Sequence, residues 1–268
     1  MLNAAIKGVL EGFTEFLPIS STGHLILVDK WLPLTADPAA AEKLDNMFDL
    51  VIQFPAILAI VILFRRRLWD ALGAARVRPE ARRFWLGLAL AFVPIGIAGL
   101  MLHREAEALR RPAVVAVALI VGGVILAFFE RLAMQPAVAR AESVPLATAL
   151  SIGVCQCLAL VPGISRSGAS IVSGRLMGLS RTAAAEFSFF LAIPTMGVAC
   201  AYKLLKDYKE LDWHAHGVVL ILLAGSLMSF LTAWAVVALF LRLLEKRYGL
   251  SAWGWYRILL GVLVLASV

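Results

Sequence analysis

The chain has 268 residues, 61% of them hydrophobic and 16% charged, with a mean hydropathy of +0.87. A soluble domain is roughly half apolar, so this composition excludes an ordinary soluble fold and points to an all-α polytopic membrane protein. The net charge of +7 is carried by basic residues in short loops between apolar runs. That placement orients loops in a bilayer, and no nucleic-acid partner is expected.

Taken in chain order, the first apolar segment, Leu2 to Leu27, is interrupted by Lys7, Glu11, Glu15, Pro18, a run of hydroxyl residues and His24. Those charges argue against a cleavable signal peptide. Six runs then have spanning length, roughly 17 to 25 residues: Met47 to Phe64, Phe84 to Leu102, Ala113 to Glu130, Ala183 to Tyr202, Gly217 to Leu241 and Trp253 to Val268. Between the third and fourth lies a second broken segment, Leu146 to Val172. Irregular backbone at membrane depth is tolerated only where protein or a water-filled cavity satisfies it. Both broken segments are therefore read as re-entrant helical hairpins. Trp31, Trp69, Trp85, Trp213, Trp253 and Trp255 stand at span ends, as interface anchors do.

Loops 65–83, 131–145 and 241–252 hold twelve Lys and Arg, against seven in 31–46, 103–112 and 201–216. The richer set is expected on the cytoplasmic side. The first hairpin would then enter from the outer face and the second from the cytoplasm. The arginines at 65 to 67 read as topology and headgroup anchors, and His103, His214 and His216 as loop residues. Cys155, Cys157 and Cys200 lie in apolar surroundings without zinc-site spacing, and are expected to be buried core.

The chain also repeats itself. Glu11 to Gly23 aligns with Gln156 to Gly168 at Ile-Ser-x-[Ser/Thr]-Gly, and Gln53 to Ile60 aligns with Glu186 to Ile193. One integral membrane domain, 1–268, thus divides into halves of about 1–130 and 146–268, joined by a linker at about 131–145. Each half has one hairpin and three spans, an odd number that inverts the second half, as in many transporters.

Glu11 and Glu15, four apart, share a helix face. Close carboxylates in a poorly solvated site share a proton or flank a cation. Oxygen ligands suit Mg²⁺ or Ca²⁺, with substrate phosphate and water completing the shell. After Pro18, the residues Ser20, Ser21, Thr22 and Gly23 expose hydroxyls and backbone N–H groups before a helix expected to begin near His24, an arrangement that attracts anions. His24, one turn from Ser21, is placed to orient or deprotonate it, or to protonate a leaving oxygen. The second hairpin adds a cation: Gly163, Ser165, Arg166, Ser167, Gly168 and Ser170 read as a phosphate cradle with a planar guanidinium fork. Gln53, Gln156 and Glu186 would support the site from behind.

These two stretches resemble the signatures of the bacterial undecaprenyl pyrophosphate phosphatase family, the bacitracin-resistance type of integral membrane phosphatase. Glu11 to His24 matches Glu/Gln-x-x-x-Glu running into Pro-x-Ser-Ser-Thr-Gly-His, and Pro162 to Ser170 matches Pro-Gly-x-Ser-Arg-Ser-x-x-Thr, with Ser170 in place of Thr. The resemblance implies hydrolysis of undecaprenyl diphosphate to undecaprenyl phosphate and inorganic phosphate, recycling the lipid carrier of cell-wall synthesis in the bacterial inner membrane. It further implies a divalent cation and a site facing the periplasm. Carried over by position, the catalytic set is Glu11, Glu15, Ser21, His24 and Arg166. Ser21, His24 or water is the nucleophile, and His24 or Glu15 the base for Ser21. The partners expected are the polyprenyl diphosphate and membrane lipids, with a homodimer left open. The rival reading is a transporter or flippase for a polyprenyl phosphate or another anion, since the inverted repeat and buried charges would serve ion coupling equally well.

Overall fold

The computed structural model describes residues 1–29, 31–35, 38–207, 217–245 and 250–267. Trp213, His214 and His216 lie outside that set. The architecture is all-α. In the first half, α1 (Leu2–Thr14) and α2 (Ser21–Asp29) form the first broken segment, followed by α3 (Pro38–Leu63), α4 (Arg65–Ala74), α5 (Pro79–Ala108) and α6 (Pro112–Phe128). In the second, α7 (Leu146–Gln156) and α8 (Arg166–Leu176) form the other broken segment, followed by α9 (Arg181–Asp207), α10 (Val218–Glu245) and α11 (Ser251–Ala266).

Five helices are long and apolar enough to cross a membrane, among the described residues: Lys43–Leu63, Pro79–Ala108, Pro112–Arg131, Arg181–Lys206 and Val218–Leu244. The sixth expected span is α11, an apolar helix of 16 residues. At 1.5 Å per residue it covers about 24 Å. His103, expected in a loop, instead stands in the last turns of α5, beyond a break in helical geometry at Leu102 (φ −112°, ψ 15°).

The helix pairs follow the repeat. Helix α1 packs on α10 and its counterpart α7 on α5; α2 packs on α11 and its counterpart α8 on α6. The pairs α6·α11 and α3·α9 exchange with themselves. Two glycines at equivalent repeat positions make close backbone contacts in the α1·α10 and α5·α7 pairs. A Cβ on Gly8 of α1 would stand 2.3 Å from the Gly225 carbonyl oxygen, and one on Gly153 of α7 would stand 2.2 Å from that of Ala91. Such backbone approach between apolar helices relies on residues without side chains.

Each broken segment is a helix, an irregular turn and a second helix. In the first, Glu15 keeps helical geometry and its N–H bonds to the Glu11 carbonyl. Pro18 follows, and Ser20 takes a left-handed conformation (φ 70°) directly before α2. In the second, a short 3₁₀ turn, Cys157–Leu160, leads into Gly163 at φ 98°. A Cβ there would stand 2.6 Å from the Val115 carbonyl oxygen, so Gly163 supplies both the positive φ and the close approach.

Candidate active site

The two hairpin turns meet inside the molecule. Because α1 continues helically through Glu15, its carboxylate and that of Glu11 lie one turn apart on the same face. Helix α2 starts at Ser21, three residues earlier than its sequence indicates, which puts Ser21 in the first helical turn. The Ser21 hydroxyl donates to Glu15 Oε2 at 2.6 Å. From the second hairpin, Arg166 Nη2 donates to Glu15 Oε1 at 3.2 Å. Arg166 is further fixed by donation from Nη1 to the Ser188 carbonyl at 3.0 Å, and its guanidinium lies 5.6 Å from the centre of the Phe16 ring. A carboxylate that accepts a serine hydroxyl on one oxygen and a guanidinium on the other can take the serine's proton while the cation remains free to face an anion.

Glu11 is fully buried, and neither of its oxygens has a hydrogen-bond partner. Glu15 and Ser21 are among its electrostatic neighbours. An orphaned carboxylate at such depth is out of balance without a proton or a cation.

His24 is buried and makes two hydrogen bonds. Its Nδ1 lies 2.7 Å from the Ser20 carbonyl, and its Nε2 lies 2.7 Å from the Tyr256 hydroxyl of α11. A carbonyl only accepts, so Nδ1 carries the proton; in the neutral ring Nε2 accepts from Tyr256. The serine hydroxyl and the histidine thus have separate partners.

The serines of the second hairpin join the two turns. Ser167 donates to the Leu17 carbonyl at 2.8 Å and shares a 2.9 Å contact with Ser165, whose oxygen caps α8 by accepting from the Gly168 N–H. Ser170 donates to the Ser188 hydroxyl at 2.7 Å. Thr22 and Gln53 line a neighbouring cavity of about 440 Å³ between α3, α5 and α9, whose wall includes Pro162. Its lining includes apolar Phe92, Ile95 and Val198, the ion pairs Arg110–Asp49 and Lys203–Glu107, and Lys206.

Two further residues are grouped with the site by the repeat. Gln156, the counterpart of Glu11, is buried with its amide unpartnered. Glu186 sits with Arg67 and Glu142, bonded at 2.5 Å to Arg67 Nη1, rather than with Ser21 and Arg166. The three cysteines are free thiols, and Cys200 lies 3.8 Å from Gln53 Oε1.

Sequence reasoning passed over Tyr256, Arg257 and Ser188. A charge inside the last apolar run was the available signal for Arg257, because ionisable residues in spans mark functional places. It likewise passed over the Lys7 bolt. Fully buried Lys7 pairs with Asp45 at 2.8 Å and Asp29 at 3.0 Å, tying the start of α1 to α3 and to the end of α2.

Residues 4–263 match the family model described as "Bacitracin resistance protein BacA". The chain belongs to the BacA family. It is similar, at 47% identity over 268 residues, to an undecaprenyl-diphosphatase of Sorangium cellulosum, covering 98% of this chain and 85% of the relative. It is 43% identical to undecaprenyl-diphosphatases of Sphingopyxis alaskensis (96% and 93% covered) and of Paracoccus denitrificans (99% and 96%). The match to the BacA family spans both hairpins and the helices between them, so the paired turns lie within the family's shared extent.

Proposed function

We infer that this BacA-family chain is an undecaprenyl-diphosphatase, hydrolysing undecaprenyl diphosphate to undecaprenyl phosphate and inorganic phosphate within a bacterial membrane. The observation that carries the reading is the hydrogen-bonded chain Ser21, Glu15, Arg166 built across two hairpins. Transport needs no activated nucleophile; a phosphatase does.

In the reaction, the polyprenyl chain lies along apolar helix surface and the diphosphate enters between the turns. Ser21 Oγ attacks the terminal phosphorus and passes its proton to Glu15. The bond from that phosphorus to the bridging oxygen breaks, and undecaprenyl phosphate leaves. Water then attacks the phosphoserine phosphorus, the bond from phosphorus to Ser21 Oγ breaks, Glu15 returns its proton to Ser21 Oγ, and inorganic phosphate leaves with the protons of the attacking water shared between it and solvent. Arg166 faces the phosphoryl oxygens as their negative charge is redistributed, which is the main requirement of phosphoryl transfer. Its contact with Glu15 holds the base in place between turnovers. His24, with its proton on Nδ1, holds the Ser20 carbonyl and thereby the left-handed turn that presents Ser21.

Glu11 and Glu15 would hold a divalent cation, Mg²⁺ or Ca²⁺. Their hard oxygens suit it, and the orphaned Glu11 carboxylate supports it. No group of three or more His, Cys, Asp or Glu poised for a metal occurs among the described residues, so substrate oxygens and water would supply the rest of the shell. When bound, such an ion neutralises phosphate charge.

The basic-loop asymmetry supports placing the Ser21 side outward, toward the periplasm of the inner membrane. The exchange of helix partners supports two inverted halves, about 1–130 and 146–268. Phosphate release from undecaprenyl diphosphate by the purified chain in detergent tests the reading. Sustained turnover supports it. Binding without any phosphate release would favour a carrier.

A further inference from the structure

Arg257 lies in α11, 2% exposed, and forms no ion pair with any carboxylate among the described residues. Its hydrogen bonds all go to backbone carbonyls. Nη2 donates to Gly163 at 3.0 Å and to Ala118 at 3.5 Å, and Nη1 donates to Pro18 at 3.4 Å. Pro18 stands three residues before Ser21, and Gly163 stands three residues before Arg166. In the internal repeat Pro18 and Gly163 are the same position.

The surroundings are shaped to admit this side chain. A Cβ on Gly122 of α6 would stand 2.2 Å from Nη2, and one on Gly168 of α8 would stand 3.1 Å from Nη1. An unpaired cation inside apolar helices is unfavourable unless dipoles surround it. A forked guanidinium reaches carbonyls in two directions at fixed spacing, which a lysine ammonium on its flexible stem does not reproduce.

We propose that Arg257 is a positioning residue for the reaction: it clamps the equivalent carbonyls of both turns and so fixes the separation of Ser21 from Arg166. It touches neither substrate nor reacting atoms. The inference rests on the phosphatase reading, because Ser21 and Arg166 must close on one phosphoryl group.

The test is kinetic, on full-length protein in detergent, with undecaprenyl diphosphate as substrate and turnover expressed per folded molecule. Arg257→Met should lower kcat by about 100-fold, the scale of an ångström-sized misplacement, with KM changed by less than about threefold. Arg257→Lys should recover only part of the loss. Gly122→Ala keeps the arginine but displaces Nη2 through its added methyl, and should reproduce the loss of kcat even if Arg257→Met does not fold. Wild-type kcat per folded molecule in Gly122→Ala and Arg257→Lys would overturn the proposal, as would losses confined to thermal stability. A wild-type protein that releases no phosphate would instead overturn the phosphatase reading.

Discussion

The Ser21 hydroxyl donates to Glu15 Oε2 at 2.6 Å while Arg166 Nη2 donates to the other oxygen of that carboxylate at 3.2 Å. One carboxylate is therefore shared by a serine hydroxyl from its own hairpin and a guanidinium from the opposite one. Ser21→Ala should lower phosphate release by at least about 10³-fold, the scale seen when a nucleophile is removed. Glu15→Gln keeps the shape and loses the base, and should fall comparably. Purified variants assayed for inorganic phosphate decide this; a Glu15→Gln enzyme at near wild-type rate would show that another group takes the proton.

Arg166→Lys should lower kcat/KM by about 10²-fold or more. Nη1 and Nη2 of the fork reach the Ser188 carbonyl and Glu15 together, and an ammonium meets one such demand at a time. The check is a comparison of kcat and KM with wild type, where parity would exclude bidentate recognition.

Gly153→Val should destabilise the fold by about 3 kcal/mol or more, the range of severe overpacking. The nearest atom to its new Cβ is the Ala91 backbone oxygen, at 2.2 Å, and backbone yields less readily than a side chain. Thermal unfolding in detergent reads this out. Gly197→Ala is the control, since nothing lies within 4 Å of that position.

Arg67 tests a second polar centre that the chemistry does not use. Its hydrogen bonds with Glu186, opposed by burial and joined by Glu142, hold its guanidinium above its ordinary value. Burial pushes Glu142 up, but hydrogen bonding from Arg67 and from its own backbone, together with the charges of Arg67 and Arg140, outweighs it and leaves the carboxyl below its usual range. A lowered carboxyl contributes stability at neutral pH and loses it as pH falls through the folded value. Arg67→Met should therefore cost about 1–2 kcal/mol at neutral pH, discounted for an arginine side chain that is 39% exposed. The gap from wild type should narrow in acid, and kcat should change little. A pH series of thermal midpoints reads the difference; a gap independent of pH would remove Glu142 from the account.

Much of this was legible in the chain itself. The five long spans follow from apolar length alone, and both broken segments were marked by Pro, Gly and charge. Glu11 and Glu15 were placed by helical spacing, which survives because Glu15 continues α1. The start of α2 at Ser21 was not legible, since it depends on Ser20 adopting a left-handed backbone that sequence disfavours. Tyr256 and Arg257 escaped for a different reason. They lie more than 200 residues from the first turn, and Arg257 lies 94 from Gly163 of the second; only the packing of α11 against α2 and α6 brings them there. Glu186 was drawn toward the site by its repeat position, yet α9 carries it to Arg67.

The most direct test is acid-quench trapping with undecaprenyl diphosphate labelled in its terminal phosphate. The account predicts acid-stable label on the wild-type chain, mapped to Ser21 and missing from Ser21→Ala. Label on His24 in a parallel sample quenched in alkali, where phosphohistidine survives, or rapid turnover with no label on any residue under single-turnover sampling, would contradict it.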